Sequence, residues 1–292
     1  MKASIPISQL KQYYALTKPG IIYGNLITAG AGFFLASRGH VSMGRLLVTL
    51  LGLGLVIASA CVFNNYIDKD IDEQMARTKR RALVTKAISD QSALIYGSGL
   101  GIAGGLVLAI WVNWLALIVS AAGWLVYIFL YTLSKRRTVY STLIGSVSGS
   151  TPPVVGYCAA ANHLDGGALL LFLALTFWQM PHFYAIAIRR YKDYKAAGLP
   201  VLPVQYGITA AKRQIVGYII GFIVVVSLLK IYGYTGYTFL VVVEAISLAW
   251  LRLALKGFEA GNDQKWAKGV FLFSLVVTLV FSFMLSVDAW LP

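Results

Sequence analysis

The sequence predicts a bundle of membrane-spanning helices, and three observations predict it. Of the 292 residues, 58% are apolar and only 12% are charged, about half the charged share of an ordinary soluble domain. Seven stretches contain no Asp, Glu, Lys or Arg: 21–37, 46–67, 91–134, 138–162, 166–188, 214–229 and 269–287. These runs are continuously apolar, whereas outer-membrane barrels show short alternating segments. Helices, which satisfy their own backbone hydrogen bonds in lipid, remain as the spanning element. A soluble globular enzyme is excluded by the same counts.

Nine spans are expected, near 21–37, 46–66, 92–110, 114–133, 141–160, 167–188, 211–229, 237–254 and 269–287. No apolar core precedes the first, so no cleavable signal is expected and span one itself directs insertion. The 44-residue run 91–134 is too long for one crossing of about 20 residues, and Asn113 between Trp111 and Trp114 marks an interfacial break. Within span three, Gly97, Gly101 and Gly105, with Gly104 beside them, offer a small-residue face for close helix packing. Cys61 in span two and Cys158 in span five are expected to pack as small apolar residues, with no disulfide. Span eight is interrupted only by Glu244, an intramembrane charge that marks a functional candidate by default. We prefer a protonated, hydrogen-bonded carboxyl there, because no motif surrounds it.

Basic residues set the orientation. The 25 Lys and Arg outnumber the 11 Asp and Glu to give a net charge of +14, which in such a chain signals topology rather than nucleic-acid binding. With the N-terminus cytoplasmic, 22 of the 25 fall in inner segments and only Arg38, Arg45 and Lys230 outside. This split also supports the count of nine, since one missed span would invert every later loop. The C-terminus is expected outside.

The most informative stretch closes span two. Asn64, Asp68 and Asp72 are spaced i, i+4, i+8 and drift only about 80° around a helix, so they share one face. Two carboxylates and an amide oxygen are hard ligands suited to Mg²⁺ that keeps some water and bridges to phosphate. Asp70 points the other way. Arg77, Lys79, Arg80, Arg81 and Lys86 follow at once, placing candidate metal ligands and fixed cations in one loop, as a diphosphate site requires. The plainer account, a solvated helix end with a basic run that merely follows topology, suits the cations better than three same-face polar residues at a span's edge.

This stretch resembles the first aspartate-rich motif, N-x-x-x-D-x-x-x-D, of the UbiA-type intramembrane prenyltransferases. The longer string from Asn64 to Val84, NNYIDKDIDEQMARTKRRALV, is similar to the branch of that family that farnesylates haem. Further matches run along most of the chain: Thr17-Lys18-Pro19 with Asn25-Leu26, Tyr131-Thr132 with Lys135-Arg136-Arg137-Thr138, and Pro152-Pro153 with Gly156. Trp178-Gln179-Met180-Pro181-His182-Phe183 and Ala197-Gly198-Leu199-Pro200-Val201-Leu202-Pro203-Val204 are the strings that point to the haem branch.

The resemblance implies a single integral-membrane prenyltransferase domain over residues 1–292. It implies farnesyl diphosphate and haem B as substrates, haem O and diphosphate as products, and Mg²⁺ as cofactor on Asn64, Asp68 and Asp72. Arg77, Lys79, Arg80, Arg81, Lys135, Arg136, Arg189, Lys192 and Asp193 would contact the diphosphate. The second cytoplasmic loop departs from the family pattern: only Asp193 stands where adjacent acids are usual, with Lys192 in the other acid's place. That puts in doubt a second metal held wholly by this loop, and Lys192 would instead meet phosphate directly. Trp178, His182, Tyr131 and Phe177 are the candidate haem and prenyl contacts. A lone helical His is more often a packed residue, and it is the surrounding string that makes His182 a haem candidate. Tyr127, Tyr131 and Phe177 are placed to flank a cationic intermediate. No Arg- and Ser-rich leader precedes span one, which favours a bacterial plasma membrane, and the family suggests a haem A synthase or a terminal oxidase as partner.

Two other readings stay open. The same diphosphate site would serve a quinone precursor or another aromatic acceptor. A transporter would need only the many spans and Glu244, although transporter sites gather at the midplane and these polar residues gather at the inner ends.

Overall fold

A computed structural model describes residues 7–291, and every regular element among them is helical. A short helix α1 (Ile7–Leu16) precedes α2 (Pro19–Ser37), which begins on Pro19, whose missing N–H costs nothing in a first turn. Then come α3 (Met43–Ile67), the short α4 (Lys69–Gln74) and α5 (Asp90–Trp111). Helix α6 (Trp114–Leu125) runs on through a π-helical turn, Val126–Tyr131, into α7 (Thr132–Ser134). The expected break at Asn113 is a cap: its side chain accepts from Ala116 N at 2.8 Å and its Nδ2 donates to Cys158 O at 2.9 Å. One polar residue thus starts α6 and ties it to a neighbouring segment.

The expected fifth span is not one helix. It is divided into α8 (Ser141–Gly149) and α9 (Thr151–Ala161), and neither piece is long enough alone to cross a bilayer of about 30 Å. The cause is Pro152-Pro153, which cannot donate to the carbonyls four residues back. A side chain takes over at one of them, Thr151 Oγ1 donating to Ser148 O at 2.7 Å, while Ser150 Oγ adds a 2.8 Å bond to Ser146 O, which the Ser150 N–H already reaches. Among the described residues, eight helices remain that are long and apolar enough to span, so the chain is a multi-pass membrane protein.

Helix α10 (Gly166–Arg189) is capped by Asp165, which accepts from Gly167 N and Ala168 N. Two short helices, α11 (Tyr191–Ala196) and α12 (Leu202–Gln205), lead to α13 (Gly207–Ile231), α14 (Tyr237–Leu255) and α15 (Asp263–Val287). The bundle closes because α15 packs on α2, α2 on α9, and α10 on both α13 and α15. Absent side chains allow the tightest contacts. A Cβ on Gly104 of α5 would lie 2.6 Å from Gly52 O, and one on Gly101 would lie 2.8 Å from Ser59 Oγ of α3. Gly97, Gly101 and Gly104 therefore form the small-residue face, whereas Gly105 turns to Leu117 of α6. Gly32 and Gly156 similarly seat α2 and α9 against each other's backbone.

Candidate active site

Helix α3 ends at Ile67, but the ladder continues across the joint. Asp68 N bonds to Asn64 O at 3.0 Å and Asp72 N to Asp68 O at 2.8 Å. Asn64, Asp68 and Asp72 therefore keep one face through the start of α4, and all three are buried, at 3%, 2% and 3% exposure. Buried carboxylates must be paired, and these are. Asp68 Oδ2 takes Lys135 Nζ at 2.5 Å and Asn64 Nδ2 at 2.9 Å, while Asp72 Oδ2 takes Arg81 at 2.5 Å. Asp70, on the opposite side, is exposed and gripped by both terminal nitrogens of Arg136 at 2.5 and 2.6 Å. That guanidinium holds the Asp70 carboxyl below the usual carboxylate range.

Hydrogen accounting fixes the Asn64 amide. The single hydroxyl hydrogen of Thr132, which is buried in α7, goes to Tyr127 O at 2.8 Å, so Thr132 Oγ1 can only accept from Asn64 Nδ2, 3.1 Å away. The amide's other hydrogen goes to Asp68, and its oxygen is left facing Lys18, whose Nζ lies 2.5 Å from Oδ1. The π-turn helps to set this geometry, since an extra residue in the turn rotates every later side chain about the helix axis, and such turns frequently sit at functional sites. It also presents Tyr127 and Tyr131, whose ring centroids are 5.3 Å apart, and Lys135 Nζ lies 5.6 Å from the Tyr131 ring centre. Burial pulls the Lys135 ammonium down, yet Tyr131 and Asp68 outweigh it and hold its pKa above the ordinary value.

A second chain of contacts locks the loop after α4. Arg81 also donates to Asn65 Oδ1 at 3.0 Å, Asn65 Nδ2 donates to Leu16 O at 2.8 Å, and Thr78 Oγ1 donates to Asp72 O at 2.9 Å. The loop after α3 and the loop after α10 meet where Ile71, Met75 and Leu199 pack together with Tyr194 and Ala197. Tyr194 is a residue the sequence did not single out. Its neighbours include Tyr131, Lys135, Arg77 and Arg190, and burial raises its phenol pKa.

Metal ligation has a specific foothold. Among the described residues, buried Asp68 Oδ1 has no hydrogen-bond partner, an arrangement rare enough to call for a ligand or water. Asn64 Oδ1, Asp68 Oδ1 and the Asp72 carboxylate are hard oxygens that fit Mg²⁺ sharing its coordination with phosphate. No group of three His, Cys, Asp or Glu side chains converges among the described residues, so these residues do not make an all-protein cage.

The other expected site residues are dispersed. Arg77, Lys79 and Arg80 are exposed. Arg189 lies over the Phe271 ring at 4.9 Å, Lys192 is exposed, and Asp193 is 3.8 Å from Arg190. Trp178 and His182 stack at 5.1 Å and both bond Ser274 of α15, to its carbonyl and its hydroxyl, each at 2.8 Å. Phe177 packs on Gly221 of α13 and on Tyr218. Glu244 accepts from Ser227 Oγ at 2.8 Å, joining α14 to α13. Lys18 and Thr132 belong to the site although the sequence assigned them no role. The one sequence signal for them was their place inside the Thr-Lys-Pro and Tyr-Thr strings.

Fold and site together define a multi-pass helical membrane protein with paired, buried carboxylates, ringed by half-buried cations, at one end of its bundle. Residues 25–276 match the UbiA prenyltransferase family, and the chain belongs to it. It is 52% identical over 284 residues to the protoheme IX farnesyltransferase of Cronobacter sakazakii, covering 97% of this chain and 96% of that relative. It aligns with the solved digeranylgeranylglyceryl phosphate synthase at a TM-score of 0.79 and 18% identity, over 97% of this chain and 99% of that one. A UbiA homologue from Archaeoglobus fulgidus, solved with GPP and Mg²⁺ bound, aligns at 0.67 and 15% identity over 94% and 99%. At these identities the two structures speak for the fold.

Proposed function

We propose that this chain transfers the farnesyl group of farnesyl diphosphate to a vinyl group of haem B, with water addition, giving haem O and diphosphate. The observation that carries the chemistry is the buried Asp68 with one oxygen unpartnered, set among Lys18, Arg81 and Lys135. The acceptor rests on the likeness to protoheme IX farnesyltransferase.

In this reading the diphosphate enters at the inner mouth and the isoprenoid tail lies between apolar helices. Asn64, Asp68 and Asp72 would hold Mg²⁺, which would offset charge on the departing diphosphate. Arg81 and Lys135 contribute fixed positive charge at the same point, where catalytic stabilisation is largest. Arg77, Lys79, Arg80, Arg136, Arg189, Lys192 and Asp193 are assigned as further diphosphate contacts, the exposed cations among them also attracting the anion to the mouth. The carbon–oxygen bond of the donor breaks to leave an allylic cation, which the Tyr127 and Tyr131 rings flank. The vinyl π pair forms the new carbon–carbon bond, and water adds to the resulting cation with loss of a proton. Helices that exclude water until the first step is complete protect that cation from early capture. Trp178, His182 and Phe177 are assigned to the haem.

The topology belongs to the same reading. Helices α8 and α9 together cover residues 141–161, about 31 Å of helix at 1.5 Å per residue, enough for a ninth crossing. The chain then works as one domain with its N-terminus inside and its C-terminus outside, in a bacterial inner membrane, passing its product to a haem A synthase or a terminal oxidase.

Incubating purified protein with haem B, farnesyl diphosphate and Mg²⁺ and analysing the haems by liquid chromatography and mass spectrometry tests the assignment. Haem O that disappears with chelator is expected. No product with haem, but transfer to an aromatic quinone precursor, would overturn the acceptor.

A further inference from the structure

Among the described residues, Lys18 is the one member of this half-buried cation cluster without a carboxylate of its own. Lys135 is paired with Asp68 and Arg81 with Asp72, while among the described residues Lys18 Nζ bonds only the neutral Asn64 Oδ1, at 2.5 Å. A half-buried ammonium opposite a neutral amide is poorly compensated. The backbone holds it there against preference. Lys18 has φ 52° and ψ 66°, a left-handed conformation that non-glycine residues rarely adopt, directly before Pro19, which itself disfavours helical geometry in the preceding residue. The turn is fastened from both sides, by Thr17 Oγ1 to Tyr14 O at 2.7 Å and by Asn65 Nδ2 to Leu16 O at 2.8 Å. Strain kept in place by its surroundings is a pointer to function.

Thr132 and Asp68 consume both amide hydrogens of Asn64 and turn its oxygen toward Lys18. Under the reading above, that same oxygen is a metal ligand, and an ammonium and Mg²⁺ cannot both hold it. We propose that Lys18 is a placeholder: it occupies Asn64 Oδ1 until Mg²⁺ arrives with the diphosphate, then swings on its four-carbon stem to a diphosphate oxygen. Lysine suits both positions, being a compact point charge with rotatable donors. Metal without diphosphate is thereby disfavoured, and metal with diphosphate finds the displaced cation a partner. The inference rests on Asn64 being a ligand.

The test uses Mn²⁺ in place of Mg²⁺, followed by electron paramagnetic resonance in the absence of diphosphate, on the detergent-purified full chain. Wild type, Lys18→Met, Asn64→Ala and the double variant are compared, with Lys18→Gln used if Lys18→Met does not give folded protein. Lys18→Met should bind Mn²⁺ about tenfold more tightly, the effect expected from losing one charge-assisted hydrogen bond at the ligand. Most of that gain should vanish in the Asn64→Ala background. Binding of farnesyl thiolodiphosphate with Mg²⁺ should weaken about tenfold in Lys18→Met, by the same measure. An unchanged Mn²⁺ affinity, an equal gain with and without Asn64, or unweakened analogue binding would overturn the placeholder. Wild-type Mn²⁺ affinity in Asn64→Ala would instead remove Asn64 from the ligand set and fail the reading beneath.

Discussion

Asp68 admits two accounts: a metal ligand, or merely the counter-ion that lets Lys135 be buried. The variants Asp68→Asn and Asp68→Asn/Lys135→Met separate them. The pair is short, 2.5 Å, with side-chain exposures of 17% and 3%. Removing one partner of a buried pair costs about 3–5 kcal/mol because the other charge is left uncompensated. Since Lys135 reaches some water, the lower end of that range, about 3 kcal/mol, is the expected loss for Asp68→Asn. Replacing both members removes the stranded charge, so the double variant should regain most of the loss. Activity should not track stability. Both variants lack the anionic oxygen, and each should turn over at least about 10²–10³-fold more slowly, the scale of losing one strong stabilising group. Thermal unfolding of the detergent-solubilised protein and haem O formation are measured side by side. A double variant that recovers both stability and turnover would show Asp68 to be a counter-ion only, and the ligand assignment would be withdrawn.

Chelation of a preparation that makes haem O should stop the reaction, and added Mg²⁺ should restore it; activity that persists in excess chelator refutes the metal site. Thr132→Val removes the acceptor that orients Asn64, and we expect about a tenfold fall in kcat, equivalent to about 1.4 kcal/mol of barrier, with haem binding unchanged by titration. A wild-type kcat would mean the amide orients itself. Gly104→Val must collide with Gly52 O and Leu55, 2.6 and 2.9 Å from a Cβ, and should destabilise by about 1–3 kcal/mol in thermal unfolding. Gly105→Ala, which meets only Leu117 at 3.6 Å, should be close to neutral, and equal effects at the two positions would contradict the packing face.

The sequence displayed most of the architecture because lipid leaves so few options. Apolar runs became helices, and the break at Asn113 was legible because an asparagine between two tryptophans has little reason to lie in lipid. The division at Ser150 was harder to see: Pro152 and Pro153 were visible, but membrane helices often tolerate proline when side chains re-satisfy the backbone. Whether the hydroxyls of Ser150 and Thr151 would stop the helix there depends on tertiary contacts, such as Gln179 Nε2 donating to Ser150 Oγ at 2.9 Å. The face shared by Asn64, Asp68 and Asp72 was also legible, being a matter of helical period alone. Their partners were not, because Lys18, Thr132 and Lys135 come from 46 to 68 residues away from the groups they bond, and local pattern carries no information at that range.

Basic residues illustrate the remaining ambiguity. In the sequence, Arg77, Lys79, Arg80, Arg81 and Lys135 are alike, since every one of them satisfies the inner-side bias and any of them suits a phosphate. In the structure they part company: Arg81 and Lys135 spend their charge on buried carboxylates, while Arg77, Lys79 and Arg80 stand in the open. Under the proposed function, that difference in environment gives them two different jobs. Exposed cations are screened by salt and chiefly set topology and attract an anionic substrate. Cations paired inside a low-dielectric mouth act strongly over short distances, and their existing pairing holds them in position before any ligand arrives. Preorganisation of that kind is what a departing diphosphate requires, because charge developing in the transition state is met by groups that need not first be gathered.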